Sequence, residues 1–508
     1  MLLMYCHAKL KNISQHTVIS AHLFLPDYSP MNRDSFYPAI ACFPLLLMLA
    51  GCAPMHETRQ ELSQQTPAAQ VDTALPTALK NGWPDSQWWL EYHDNQLTSL
   101  INNALQNAPD MQVAEQRIQL AEAQAKAVAT QDGPQLDFSA DMERQKMSAE
   151  GLMGPFALND PAAGTTGPWY TNGTFGLTAG WHLDIWGKNR AEVTARLGTV
   201  KARVAEREQT RQLLAGSVAR LYWEWQTQAA LNTVLQQIEK EQNTLIVTDR
   251  QLYQNGITSS VEGVETDINA SKTRQQLNDV AGKMKIIEAR LSALTNHQTK
   301  SLKLKPVALP KVASQLPDEL GYSLLARRAD LQAAHWYVES SLSTIDAAKA
   351  AFYPDINLMA FLQQDALHLS DLFRHSAQQM GVTAGLTLPI FDSGRLNANL
   401  DIAKAESNLS IASYNKAVVE AVNDVARAAS QVQTLAEKNQ HQAQIERDAL
   451  RVVGLAQARF NAGIIAGSRV SEARIPALRE RANGLLLQGQ WLDASIQLTG
   501  ALGGGYKR

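Results

Sequence analysis

Two periodicities divide this chain. Leu136, Phe138, Ala140 and Met142 alternate with Asp137, Ser139, Asp141 and Glu143, and Phe175, Leu177, Ala179, Trp181, Leu183 and Ile185 form a second alternating run. Further along, Ile356, Leu358, Ala360 and Leu362 alternate in the same way, followed by Val382, Ala384, Leu386, Leu388 and Ile390. Period-two patterning predicts strands with one apolar and one wet face. Between and after these runs the period changes. From Lys188 to Gln254, and again from Arg395 to Phe460, there is no proline and hardly any glycine. Each run predicts a helix on the order of 100 Å long. Apolar positions recur in steps of three and four, as in Leu231, Leu235, Ile238, Leu245 and Leu252, or Val418, Ala421, Val425, Ala428, Val432 and Leu435. That spacing predicts coiled-coil seams with left-handed supercoiling. Shorter return helices are expected over about Ser259–Thr295 and Gly467–Thr499, with Gly256 and Gly463 at the turns.

The pattern is written twice. Leu183-Asp184-Ile185-Trp186 with Arg190 returns about 205 residues later as Leu388-Pro389-Ile390-Phe391 with Arg395. Tyr253-Gln254-Asn255-Gly256-Ile257 with Glu265 returns as Phe460-Asn461-Ala462-Gly463-Ile464 with Glu472, and Pro109-Asp110…Pro134 echoes Ala329-Asp330…Pro354. The predicted fold is mixed α+β, with an amphipathic hairpin and two long helices in each copy. A soluble antiparallel sheet gives the same alternation, and a coiled-coil rod the same heptads. Neither explains why an amphipathic hairpin precedes each helix pair, twice. Alternation is also the signature of a membrane β-barrel. Four strands cannot close one, and open edges are not tolerated in lipid, so several chains would have to contribute to a single barrel.

The N-terminal sequence bears on the compartment. Arg33, an apolar run from Ala39 to Ala50 and Leu49-Ala50-Gly51-Cys52 read as a signal peptide ending in a lipobox. The run is too short to span a bilayer. Cleavage is expected between Gly51 and Cys52, with the Cys52 thiol taking diacylglycerol and its freed amine a further acyl chain. Ala53, in place of Asp, implies sorting to the outer membrane. Residues 1–30 read as an over-called extension ahead of a start at Met31, and residues 31–51 as the signal. Residues 52–86 form a lipid-anchored segment, 87–298 the first repeat, 299–320 a linker, 321–501 the second repeat and 502–508 a Gly-rich tail. The strands are expected at about 135–186 and 355–391, with Gly151–Gly173 and Asp365–Met380 as the loops within each pair. Of Cys6, Cys42 and Cys52 only the last survives processing, so no internal disulfide is expected. A net charge of −3 argues against a nucleic-acid partner.

Taken together the motifs resemble a family. The lipobox, Trp88-Trp89 with Asp94 and Leu97, Arg327-Arg328-Ala329-Asp330-Leu331, Phe352-Tyr353-Pro354, Leu388 to Arg395 and Leu502-Gly503-Gly504-Gly505-Tyr506 are similar to those of TolC-like outer-membrane factors. The resemblance is strongest to the lipoprotein branch serving drug efflux in enteric bacteria. It covers about Gln87 to Tyr506, with Ala329 where the family pattern has proline. It implies a homotrimer whose strands make one 12-stranded barrel, continued by an α-helical barrel across the periplasm. It also implies a periplasmic adaptor, an inner-membrane drug transporter and outer-membrane lipid as partners. The function implied is passive conduction of drugs and toxic compounds to the exterior. A type I protein-secretion duct, or a non-conducting coiled-coil envelope lipoprotein, are the alternatives.

No catalytic constellation competes with that reading. The chain has no phosphate loop, no Gly-x-Ser-x-Gly elbow and no paired histidines at metal spacing, so neither catalytic residues nor a metal or cofactor is expected beyond the covalent lipid. By resemblance the turns after the long helices lie at the periplasmic mouth, where acidic residues line the gate. The matching residue is Glu472, with Glu265 its counterpart by internal symmetry. Phe460 replaces a hydrogen-bonding tyrosine and Ile465 an arginine latch of some members. Arg469 and Arg474 are the basic residues left to pair with the acids.

Overall fold

The computed structural model describes residues 82–148, 169–297, 302–311 and 321–506, with residues 55, 62–65, 150, 159–160 and 165–166. The chain divides into Met1–Cys52 and Ala53–Arg508. The signal, Gly51 and Cys52 lie outside the described residues, and every described strand and helix belongs to the second unit.

Strands β1 (Gln135–Lys146), β4 (Trp169–Leu183), β5 (Asp355–Ala366) and β6 (Gln378–Thr387) form one antiparallel sheet in that order. Two-residue strands β2 (Asn159–Asp160) and β3 (Thr165–Thr166) pair within the β1–β4 connection. The register puts the alternation on a common face. Phe138 stands opposite Leu177, Leu177 opposite Leu362 and Leu362 opposite Met380, and the next row is Leu136, Ala179, Ala360 and Val382. Ser139, Gly176, Gln363 and Gln379 form a row on the other face. Gly176 is required there, because a Cβ on it would lie 2.5 Å from Gln363 Cα. The apolar face is bare: Phe138 is 67% and Val382 82% exposed.

The strands differ from expectation at their ends. Trp169-Tyr170 belong to β4, opposite Lys146 and Gln145, and are not part of the loop. β4 stops at Leu183 and β6 at Thr387, so Ile185, Leu388 and Ile390 lie beyond the sheet although the alternation runs through them. Helix capping competes for that backbone. The Asp184 carboxylate accepts the N–H groups of Asn189 (3.1 Å) and Arg190 (2.9 Å), while Asp392 accepts those of Gly394 (3.0 Å) and Leu396 (2.8 Å). Pro389 has no N–H to give a ladder.

The helices are α1 (Asn95–Asn107), α2 (Pro109–Ala129), α3 (Lys188–Gln254), α4 (Ser260–Leu294), α5 (Gly321–Arg327), α6 (Ala329–Ala350), α7 (Arg395–Asn461) and α8 (Gly467–Ala501). The duplication is closer in structure than in sequence: α3 and α7 have 67 residues each, α4 and α8 35 each. Both long helices start after a glycine at positive φ, Gly187 (77°) and Gly394 (86°). The equivalent of Arg395 is therefore Lys188 and not Arg190. The second copy spends two more residues at this corner, where Ser393 also sits at positive φ (58°).

Nearer the sheet α3 packs between α2 and α6, and α6 packs on α7; farther away α3 packs between α4 and α8, and α8 packs on α7. The helical wall is thus four helices wide along its length, as the sheet is four strands wide. Its seams are the heptad residues. Val418, Ala421, Val425, Ala428, Val432 and Leu435 are all buried, packed with Ala494 and Leu498 of α8. Each fully buried valine contributes roughly 1.5–3 kcal/mol. At mid-height Trp88, Trp89, Leu97 and Ile101 cover one face of α3 at Leu214, Val218 and Tyr222. The Tyr222 hydroxyl donates to Asp94 (2.8 Å), and its burial raises the phenol pKa, keeping it neutral. The linker segment 302–311 is held over this belt by three glutamines. Lys305 N–H donates to Gln96 Oε1 (2.9 Å), Val307 N–H to Gln226 Oε1 (2.8 Å), and Gln488 Nε2 donates to the Pro310 carbonyl (3.1 Å). Where α8 ends, Arg328 donates to the Ala501 carbonyl (3.3 Å) and pairs with Asp330 (2.6 Å).

Candidate gate and duct wall

The two turns far from the sheet close in the same way. After α3 the Ile257 N–H reaches back to the Leu252 carbonyl (2.9 Å), and after α7 the Ile464 N–H reaches the Arg459 carbonyl (2.9 Å). These are the long bonds of a Schellman cap. They require the left-handed residues Gly256 (φ 70°) and Gly463 (φ 72°). The turn exits differ: Ser259 caps α4 by accepting the Val261 N–H (3.3 Å), whereas α8 starts at Gly467 without a side-chain cap. Gly467 leaves room for the Phe460 ring, which a Cβ there would meet at 3.3 Å.

Glu265 and Glu472 both lie exposed on the return helices. Arg469 Nη1 pairs with Glu472 Oε2 at 2.7 Å, one helical turn apart, with side chains 66% and 43% exposed. Exposed pairs of this kind contribute about 0–1 kcal/mol, so this one holds Glu472 only lightly. Glu265 has no ion pair among the described residues. Arg474 pairs with neither acid. It reaches across to Glu241 of α3 (3.3 Å), whose other oxygen accepts from the Ser471 hydroxyl (2.7 Å), and it also donates to Gln457 (3.1 Å). Glu241 had no signal in the sequence. It sits in an unbroken helical run, and its partners are about 230 residues away in the other repeat. The Arg474–Glu241–Ser471 knot is the tie between repeats nearest the turns among the bonds described, and its carboxylate is only 18% exposed.

The wall above the turns carries its own chemistry. Near the sheet Arg203, Glu206 and Tyr337 join α3 to α6 (2.7 and 2.8 Å), with the Tyr337 hydroxyl pushed up to about 12 by burial and by Glu206. Trp186 and Tyr353 stack at the strand–helix corner (5.0 Å), and Trp181 donates to the Asp132 carbonyl (2.7 Å). Tryptophans and tyrosines bordering an apolar sheet face suit a membrane–water boundary. Among the described residues no helix is long and apolar enough to cross a membrane; the bare apolar surface is that of the sheet.

Known proteins share this design. The family model described as "Outer membrane efflux protein" matches residues 100–297 and 320–504. Multidrug resistance outer membrane protein MdtQ of Escherichia coli O157:H7 is 98% identical over 478 residues, covering 94% of this chain and 100% of that protein. Multidrug resistance outer membrane protein MdtP of Shigella flexneri is 36% identical over 466 residues, covering 91% of this chain and 94% of that protein. The solved outer membrane protein VceC of Vibrio cholerae superposes with a TM-score of 0.72 at 26% identity, over 84% of this chain and 100% of that one. The CmeC outer membrane channel of Campylobacter jejuni superposes with a TM-score of 0.76 at 18% identity, over 90% and 95%, which is a likeness of fold alone. With most of both repeats covered by the matched segments, the chain belongs to the outer membrane efflux protein family.

Proposed function

We propose that this protein is the outer-membrane exit duct of a tripartite multidrug efflux system, passing drugs and toxic compounds that an inner-membrane transporter and a periplasmic adaptor deliver. One observation carries the reading. A sheet four strands wide, bare on its apolar face, continues into a wall four helices wide, and among the described residues both stop at open edges. In lipid the unpaired edges of β1 and β6 are too costly to leave open. A ring of three chains closes both layers together, into twelve strands and twelve helices (three times four). The 98% identical relative, itself named a multidrug resistance outer membrane protein, supports the choice of small molecules over secreted proteins. In this reading the energy for transport comes from the partner pump.

The same reading places the chain in the outer membrane with a lipid anchor at Cys52, after cleavage at Gly51. Met31–Arg508 spans the same number of residues as the alignment with that relative, 478, which supports a start at Met31. At the periplasmic mouth Glu472 and Glu265 are the gate acids, with Arg469 as the light counter-charge of the first. The test is expression from Met31 in a strain deprived of its main efflux ducts, scored as resistance to dyes, antibiotics and lipophilic cations. Restored resistance is expected. A trimer that inserts but conducts nothing in a planar bilayer would reduce the protein to a structural stalk.

A further inference from the structure

Charge in the four-stranded sheet is sorted by face. Its carboxylates are Asp137, Asp141 and Glu143 of β1 with Asp355 and Asp365 of β5, and all of them lie on the face of Ser139 and Gln363. Its lysine and arginine side chains, Arg144 and Lys146, lie on the other, continuing the row of Phe138 and Met142, since residues two apart along a strand share a face. Both are exposed, and neither has an ion pair among the described residues. The order along β1 is Met142, Arg144, Lys146, so apolar surface gives way to positive charge at the end of the sheet farthest from the helices.

The β5–β6 connection adds to this rim by folding back on the same face. Gly173 stands opposite Met142, and a Cβ on it would lie 2.9 Å from Leu372 Cδ1. The ring centroids of Phe373 and Phe175 are 5.6 Å apart. Leu372 is buried in this contact, whereas Phe373 is 84% and Leu369 52% exposed. Arg374 follows, paired with Asp371 (3.1 Å) but with most of its side chain exposed. Arg144 stands opposite Thr171, one outward row beyond Met142 and Gly173, a step of about 7 Å. Trp169, opposite Lys146, is exposed as well.

Apolar side chains on the sheet side and cations beyond them reproduce the order of acyl chain and headgroup in an anionic lipid. Free phosphate would answer the cations and leave Phe373 and Leu369 bare. A phosphate monoester carries a charge of about −1.5 to −2 near neutral pH, which Arg144, Lys146 and Arg374 match better than they match a phosphodiester already balanced by choline. We infer that this rim is a binding seat for lipids bearing a phosphate monoester, with the phosphate on Arg144 and Lys146 and an acyl chain along Met142 and Phe373. This rests on the duct reading, in which the helices stand in the periplasm and the rim therefore meets the outer leaflet.

The test uses the purified full-length trimer in nonionic detergent, with phosphatidic acid as probe and retained lipid counted by native mass spectrometry. Phosphatidylcholine with the same acyl chains and inorganic phosphate serve as controls. Preferential retention of phosphatidic acid is expected. Arg144→Gln and Lys146→Gln, both exposed substitutions, should each weaken it about fivefold, the scale of one basic residue near an anionic lipid surface. Lys283→Gln, an equal loss of charge at an exposed position of α4, should leave it unchanged. Equal retention of the two lipids overturns the inference. So does a preference that neither rim substitution lowers, one that Lys283→Gln lowers as much, or displacement of the lipid by inorganic phosphate at equal concentration. Bilayer conductance of the same trimers separates the two readings. Conduction without lipid preference removes the seat alone, and loss of conduction in the parent protein removes the duct.

Discussion

At the residue scale, the register decides what each strand position faces. Leu177 belongs to the bare apolar row, while its neighbour Thr178 stands opposite Asp137 and Phe361 on the other face. Leu177→Arg should therefore cost roughly 2–4 kcal/mol near the bilayer midplane and deplete trimer from outer-membrane fractions. Thr178→Arg should cost much less. Equal depletion by both would place the lipid on the wrong side of the sheet. Gly176 is unsuitable as a control, since any side chain there collides with the Gln363 backbone. At the mouth, Glu472→Ala should weaken block by divalent cations added from the periplasmic side of a planar bilayer and lower cation selectivity. Glu265→Ala should do so less. Arg469→Ala frees Glu472 from its one ion pair, so it should strengthen the same block. Unchanged block in all three would make these carboxylates ordinary solvated helix charges.

At the scale of elements, helix ends carry more information than helix interiors. Gly463 supplies the left-handed residue of the cap, with open space where a Cβ would stand. Gly463→Ala should cost about 1–2 kcal/mol through backbone strain alone, seen as faster hydrogen exchange confined to the last turns of α7 and the first of α8. Asp392 caps α7 through two backbone N–H groups. Asp392→Ala should cost about 1 kcal/mol and lower the unfolding temperature of the trimer. Asp392→Asn should recover only part of the loss, because its single amide oxygen can replace one of the two carboxylate acceptors. The tie from Arg474 and Ser471 to Glu241 is a different kind of feature. It locks two repeats together near the mouth, and Glu241→Gln should loosen that junction, read as altered channel gating with little change in stability.

At the scale of the molecule, the shared width of sheet and wall is what allows one ring closure to complete both. The prediction specific to this scale concerns the anchor. Mature protein isolated from membranes should begin at an acylated Cys52, detected by mass spectrometry, since two or more acyl chains give stable attachment where one gives only marginal binding. Cys52→Ala should remove the lipid and leave part of the trimer inserted, because the strands hold it as well. Finding an intact Met31–Gly51 segment on the mature chain would exclude the lipobox reading.

Much of this architecture is local in origin and was legible in the residues. Period-two alternation, proline-free heptads and the glycines at the turns specify strands, long helices and caps from interactions within a few residues, and the duplication repeats them. The limits of the sheet were not legible, because Asp184 and Asp392 take backbone N–H groups into helix caps where the alternation of Ile185 and Ile390 continues unchanged. The extra pair of residues at the second strand–helix corner was hidden by the similarity of Arg190 and Arg395. Contacts between repeats were out of reach for a different reason. Glu241 with Arg474 and the three glutamines around the linker bring together residues between 81 and 233 positions apart. The sequence alone determined which elements form and which face of each is apolar, since both follow from local periodicity. Only the tertiary structure decided which polar groups pair across the wall and which are left open, because that depends on how the two repeats pack.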